Sequence, residues 1–312
     1  MTQYPIDPEL LPWVAMLPEV DLTDMVASRA QAAELVKALP PVVIPDGIGV
    51  RELTIPGRDG TEIYARVYAP TEATESLRAG YVHIHGGGFV LGDLDTFEQG
   101  PADIAAACGA VVVAPDYRLA PEHPFPAGLE DCYSTLEWLA ATAGELGVDP
   151  ARIGVGGESA GGGLAAGVAL LARDRQGPAL CFQLLEIPEL DDRLDTPSME
   201  KFIDTPLWHR PAAELSWKYY LSGTPEVLGL HYAAPARAED LSGLPPAFVS
   251  TCEFDPLRDE GLIYAQRLLQ AGVTTEVHHY PGTFHGSELV GEAAVSRRMA
   301  SDKRDALRRA LS

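Results

Sequence analysis

Two periodicities divide the chain. Over Leu22–Leu39 apolar residues recur at helical spacing between flanking prolines, so residues 1–45 read as a broken helical stretch. Val50–Ile55 and Glu62–Tyr68 are short β-rich or alternating runs joined by Gly57-Arg58-Asp59-Gly60, which predicts a hairpin. From residue 80 onward strand-like and helix-like segments alternate. Strands are predicted over Tyr81–His85, Ala110–Ala114, Arg152–Gly156, Leu180–Ile187, Ala247–Thr251 and Thr274–Tyr280. Helices are predicted over Leu129–Thr142, Ala160–Arg173, Asp259–Gln270 and Glu292–Leu311. This alternation implies an α/β protein with a mostly parallel sheet covered on both faces, and the early hairpin implies an antiparallel edge. Residues 189–230 break the pattern. They hold Pro197, Trp208, Pro211, Trp217, Tyr219 and Tyr220 without a clean strand. We read them as a helical insertion over the carboxyl edge of the sheet, forming a cap with about residues 1–45. At 312 residues the chain suits a single domain, 1–312, carrying that insertion.

Composition narrows the function classes. The formal net charge of −22 repels nucleic acid and anionic lipid, so neither is an expected partner. No run approaches the roughly 18 apolar residues of a membrane helix, and the start MTQYPIDPELLPW lacks the basic-then-apolar order of a secretory signal. Cys108, Cys132, Cys181 and Cys252 are scattered, three of them in apolar stretches that read as buried. That usage suits a reducing, cytoplasmic compartment. Neither cysteines nor histidines cluster at metal-ligand spacing, so no metal is expected.

The chemistry-bearing residues lie at strand ends. Gly157-Glu158-Ser159-Ala160-Gly161 follows a predicted strand and opens a predicted helix, the context a G-x-S-x-G nucleophile elbow requires. The tight turn lifts the serine hydroxyl into a pocket and puts the next backbone N–H at a helix N-terminus. The same glycines fail as a phosphate loop, which needs a nearby lysine. His85-Gly86-Gly87-Gly88 ends another strand. Three glycines in a row lose much chain entropy on ordering, which makes sense where bare N–H groups face the charge developing on a carbonyl oxygen. A serine nucleophile needs a base. Of eight histidines, His285 is the best placed, in the Gly282–Gly286 loop after the last strand. Asp255 follows the preceding strand and is the candidate to orient it, with Glu253 and Asp259 as nearby alternatives. The expected chemistry is two-step acyl transfer through Ser159.

These motifs together resemble the hormone-sensitive-lipase-like (bacterial family IV) branch of the α/β-hydrolases. The resembling segments are His85–Phe89, Asp116–Pro124, Gly157–Gly162, Asp255–Asp259 and Phe284–Gly286, spread over residues 80–290. The resemblance implies the α/β-hydrolase fold and a carboxylesterase for short- to medium-chain esters of small molecules, with no cofactor. It also implies a triad Ser159, Asp255, His285 and oxyanion-hole N–H groups from Gly87, Gly88 and Ala160. Trp13, Phe89 and Trp208 are candidate pocket walls, and a homodimer is the one assembly allowed for. Two departures stand out: Gly163 replaces a common asparagine, and Leu185-Glu186-Ile187-Pro188 replaces an apolar-apolar-Tyr-Pro run, putting a costly carboxylate in a central strand. The Asp116–Pro124 segment reads as a rigid support for the site. Rival readings are a binding protein of this fold without catalysis and a peptidase or amidase using the same triad.

Overall fold

The chain builds a sheet of eight strands: β1 (Ile48–Pro56), β2 (Glu62–Pro70), β3 (Arg78–Ile84), β4 (Val111–Pro115), β5 (Val148–Glu158), β6 (Phe182–Glu186), β7 (Ala247–Phe254) and β8 (Thr275–Phe284). The computed structural model describes residues 4–17, 20–38, 42–223 and 228–312. The strand order is β1-β2-β4-β3-β5-β6-β7-β8. β2 is antiparallel to both β1 and β4, and every pairing from β4 to β8 is parallel.

Burial explains the two strand patterns. β4 and β6 are buried at every position, which is why they read as continuous apolar runs; a strand with helices on both faces has no wet side. β2 keeps an exposed-buried alternation over its first four residues. The predicted hairpin turn is present: Gly57 N–H donates to the Thr61 carbonyl, and the Asp59 carboxylate accepts from the Thr61 N–H.

One face of the sheet is covered by the helices Ala127–Ala141, Ala160–Asp174 and Arg258–Gln270, whose leucines and alanines join Val82, Val113, Val155, Leu185 and Val249 in the main core. The other face is covered by the helices Gln99–Cys108 and Ala294–Leu311, packed on Tyr81, Val112, Leu184 and Phe248. The helix Gln99–Cys108 escaped the sequence reading, because its buried side is made of Pro101, Ala102 and Ala105 with Ile104 as its one large apolar residue. β5 and β8 also run past their predicted ends, and β8 reaches Phe284, the residue before His285.

From β3 the chain moves outward to β4 and then crosses back to β5. β3 and β5 are neighbours whose connections leave in opposite directions. The crevice at the carboxyl ends of such a pair is where open α/β sheets bind ligands. Both glycine motifs, after β3 and after β5, open there.

The segment after β6 is helical, with Pro197–Lys201, Arg210–Tyr220 and Leu230–Ala233. The N-terminal stretch holds Leu11–Val14 and Met25–Ala38. The two meet: Leu22 packs with Met199, Trp208, Ala212 and Ala213, and the Tyr219 hydroxyl donates to the Leu22 carbonyl. Residues 1–3, 18–19, 39–41 and 224–227 of the expected cap lie outside the described residues. All four cysteines are free. Cys132 and Cys252 are buried, while Cys108 and Cys181 are half-buried, one fewer fully buried than the sequence suggested.

Candidate active site

The elbow forms because its neighbours leave no room for side chains. A Cβ on Gly157 or on Gly161 would stand 2.1 Å from the same Ile84 carbonyl oxygen. Ser159 between them is held at φ 57°, ψ −123°, a conformation that costs an L-residue about 1–3 kcal/mol. Three backbone bonds fix it there: its N–H donates to the Glu186 carbonyl, and its carbonyl accepts from Gly163 and Glu189. Gly163 is likewise demanded, since a Cβ would meet the Glu189 carbonyl oxygen at 2.1 Å. With the Glu189 carbonyl where this chain holds it, an asparagine side chain has no room at 163.

The Ser159 hydroxyl lies 2.9 Å from His285 Nε2, and His285 Nδ1 lies 2.8 Å from Asp255 Oδ2. The other Asp255 oxygen accepts from the Leu257 N–H. All three side chains are buried. The alternatives to Asp255 are engaged elsewhere: Glu253 accepts from the Gly282 N–H, and Asp259 pairs with Arg258 and accepts from the Ser198 N–H. A neutral imidazole with Nδ1–H on a carboxylate presents Nε2 as an acceptor to the hydroxyl, which is the arrangement a general base requires.

The glycine loop after β3 faces Ser159. Gly87 sits at φ 115°, where a Cβ would stand 2.1 Å from the Leu91 carbonyl oxygen. Gly88 and Phe89 follow in the left-handed region. Several groups hold this loop from outside. The Glu158 carboxylate accepts the Gly86 N–H, the Tyr117 hydroxyl donates to the His85 carbonyl, and the Ala120 N–H donates to the Phe89 carbonyl. Arg118 is paired to Asp131 and Asp59. The Asp116–Pro124 segment therefore braces the glycine loop through Tyr117 and Ala120.

A cavity of about 1110 Å³ opens over Ser159, His285, Gly87 and Gly88. Trp208 is one wall: its ring centre is 6.0 Å from that of His285, and its indole N–H has no partner among the described residues. Phe89 does not reach the cavity. It is 1% exposed and stacks on Tyr220 with ring centres 4.0 Å apart, so it belongs to the core. Trp13 packs beside Ile6, Leu10 and Phe254, also away from the cavity. Sequence shows that both are large and aromatic; it does not show which side of the loop they occupy.

The cavity continues behind Ser159 toward the C-terminal helix, and there it is polar. The Lys303 ammonium is 3.1 Å from Glu186 and also pairs with Glu288. His83 Nε2 is 3.7 Å from Glu158. Burial raises the Glu186 carboxyl well above the usual range, Glu288 adds repulsion and Lys303 opposes both. Burial would lower the Lys303 ammonium, but Glu186 and Glu288 outweigh it and hold it raised. Burial pushes Glu158 up to about 7 and His83 down to about 3. The unexpected strand carboxylate thus has a lysine partner. Lys303, Glu288, Glu189 and Ser216 escaped the sequence reading. Lys303 alone left a signal, as one of four lysines in a chain whose positive charge is otherwise arginine.

A family model for the alpha/beta hydrolase fold matches residues 81–289, and the chain belongs to that family. Carboxylesterase NlhH of Mycobacterium tuberculosis is 41% identical over 289 residues, covering 89% of each chain. Esterase LipI of the same organism is 38% identical, covering 93% of this chain and 89% of its own. Among solved structures, a bacterial heroin esterase superposes with a TM-score of 0.95 at 51% identity, over 100% of both chains.

Proposed function

We propose that Ser159, His285 and Asp255 are the catalytic triad of this chain, and that the N–H groups of Gly87, Gly88 and Ala160 form its oxyanion hole. The chain is a serine carboxylesterase, a carboxylic ester hydrolase acting through an acyl-enzyme intermediate. The observation that carries the residue assignment is the unbroken hydrogen-bonded line from the Ser159 hydroxyl through His285 to the buried Asp255.

His285 takes the hydroxyl proton as the Ser159 oxygen attacks the ester carbonyl. The tetrahedral oxyanion is met by the three backbone donors. The protonated imidazole, steadied by Asp255, gives its proton to the leaving alcohol, and the acyl group stays on Ser159. Water repeats the cycle: His285 deprotonates it, the acid leaves, and Ser159 regains its proton.

The substrates are small-molecule esters with short- to medium-length acyl chains, a size the cavity above Ser159 accommodates. The helices of residues 1–45 and 189–230 act as the cap that bounds it. No helix among the described residues is long and apolar enough to cross a membrane. A cytoplasmic location agrees with the four free cysteines. A homodimer agrees with the position of β8 as the last strand of the sheet, with no strand on its outer edge among the described residues, and light scattering on a sizing column tests it. The activity test is hydrolysis of p-nitrophenyl esters from acetate to palmitate by wild type and Ser159→Ala. Loss of at least about a thousandfold in the variant is expected. An inert wild type, or a variant that keeps its rate, overturns the assignment.

A further inference from the structure

Ser216, on the helix Arg210–Tyr220, is buried and faces two acceptors. Its hydroxyl oxygen is 2.8 Å from the Gly88 carbonyl oxygen and 3.2 Å from Glu189 Oε1. A hydroxyl has one proton to give. If Glu189 were a carboxylate, one of the two oxygens would go without a donor. Glu189 itself is 0% exposed, and its Oε2 has no partner among the described residues. The ionisable groups facing it are Asp255, Glu260 and Tyr220; none is a cation. A buried anion in that company is strongly disfavoured.

A proton on Glu189 resolves the count. The carboxylic acid donates to the Ser216 oxygen, and Ser216 donates to the Gly88 carbonyl. Gly88 lies at the left-handed turn of the glycine loop, so pinning its carbonyl fixes the peptide that follows the proposed oxyanion donors. The Glu189 backbone N–H meanwhile donates to the Ser159 carbonyl, so one residue ties the elbow to the loop.

We propose that Glu189, as a neutral carboxylic acid, is a positioning residue that acts through Ser216 on the Gly88 carbonyl and holds the oxyanion loop in register with Ser159. The inference rests on the triad reading above. Burial, with Asp255 adding to it and Ser216 opposing, pushes Glu189 up to about 8. Above that pH the carboxylate claims the Ser216 proton, the Gly88 carbonyl is released, and turnover falls with little change in KM.

The test is kcat and KM of wild type, Glu189→Gln and Ser216→Ala from about pH 6 to 10, with Ser159→Ala measured alongside. The glutamine amide can donate to Ser216 at every pH, so Glu189→Gln keeps kcat within about threefold at neutral pH and lacks the alkaline fall of wild type. Ser216→Ala loses about tenfold in kcat below about pH 8, because the Gly88 carbonyl has no donor, and approaches wild type above it, where wild type has released the same bond. A Glu189→Gln loss beyond about tenfold at neutral pH, with its melting temperature kept, would mean a carboxylate is required and overturns the proposal. So does an alkaline limb identical in the two enzymes. If Glu189→Gln does not fold, the pH profile of Ser216→Ala decides: with the link to Gly88 cut, its kcat lacks the alkaline fall of wild type, and a fall kept unchanged refutes the proposal. Failure of the triad reading shows separately, as activity retained by Ser159→Ala.

Discussion

Lys303→Met tests the charge cluster behind Ser159. The variant keeps a side chain of similar length and removes the only cation paired to Glu186 and Glu288 among the described residues. Removing one partner of a buried ion pair costs about 3–5 kcal/mol. The lower end applies here, since Lys303 and Glu288 keep 22% and 28% of their side-chain surface open to the cavity. A loss of about 3 kcal/mol, set against an unfolding entropy of about 2.1 cal/mol/K for each of 312 residues, lowers Tm by about 5 °C. The sign with pH follows from the carboxylates. Without lysine the Glu186 carboxyl, already raised, rises further and Glu288 loses the cation that holds it down, so the folded state of the variant holds more protons than that of wild type and its deficit grows as pH climbs past the unfolded value of about 4.5. The deficit is therefore largest near pH 8 and shrinks toward pH 5. Thermal unfolding followed by circular dichroism at both pH values reads it. A Tm within about 1 °C of wild type at pH 8, or an equal deficit at both, refutes the reasoning. Adding Glu186→Leu should recover much of the loss, because a buried pair replaced by apolar groups is often neutral.

Asp255→Asn leaves the geometry but favours the wrong imidazole tautomer, so kcat should fall about ten-thousandfold with KM and Tm little changed, in steady-state assays of a short ester. Gly87→Ala forces a Cβ against the Leu91 carbonyl oxygen at φ 115° and should cost at least about a hundredfold in kcat by displacing a proposed oxyanion donor. Trp208→Ala widens the cavity beside His285, and kcat/KM for octanoate relative to acetate should rise; an unchanged ratio would show that Trp208 does not bound the acyl space.

Much of this site was legible because its requirements are local. A glycine that must pass within touching distance of a carbonyl leaves a glycine in the sequence, and strand ends can be read from periodicity. That is enough to bring Ser159, Asp255 and His285 to one edge of the sheet, and the structure sets them in hydrogen-bonding contact. What stayed illegible depends on contacts between distant segments. Glu189 and Ser216 are 27 residues apart and meet only because the insertion folds back over the sheet. Lys303 reaches Glu186 from a helix whose face cannot be assigned to a side of the sheet by pattern alone. Phe89 shows the same limit: a backbone that turns left-handed sends its ring inward to Tyr220 rather than outward to the cavity.

The crowding beneath Ser159 also sets where this enzyme can diversify. Gly157 and Gly161 abut the Ile84 carbonyl oxygen, which no substitution elsewhere can trim away, so the floor of the site is closed to gradual change. The ceiling is made of side chains, among them Leu207, Trp208 and Leu289, and each can be exchanged without disturbing the elbow. A lineage or a laboratory seeking new esters would find its variation concentrated around Leu207, Trp208 and Leu289, with the reacting groups inherited intact.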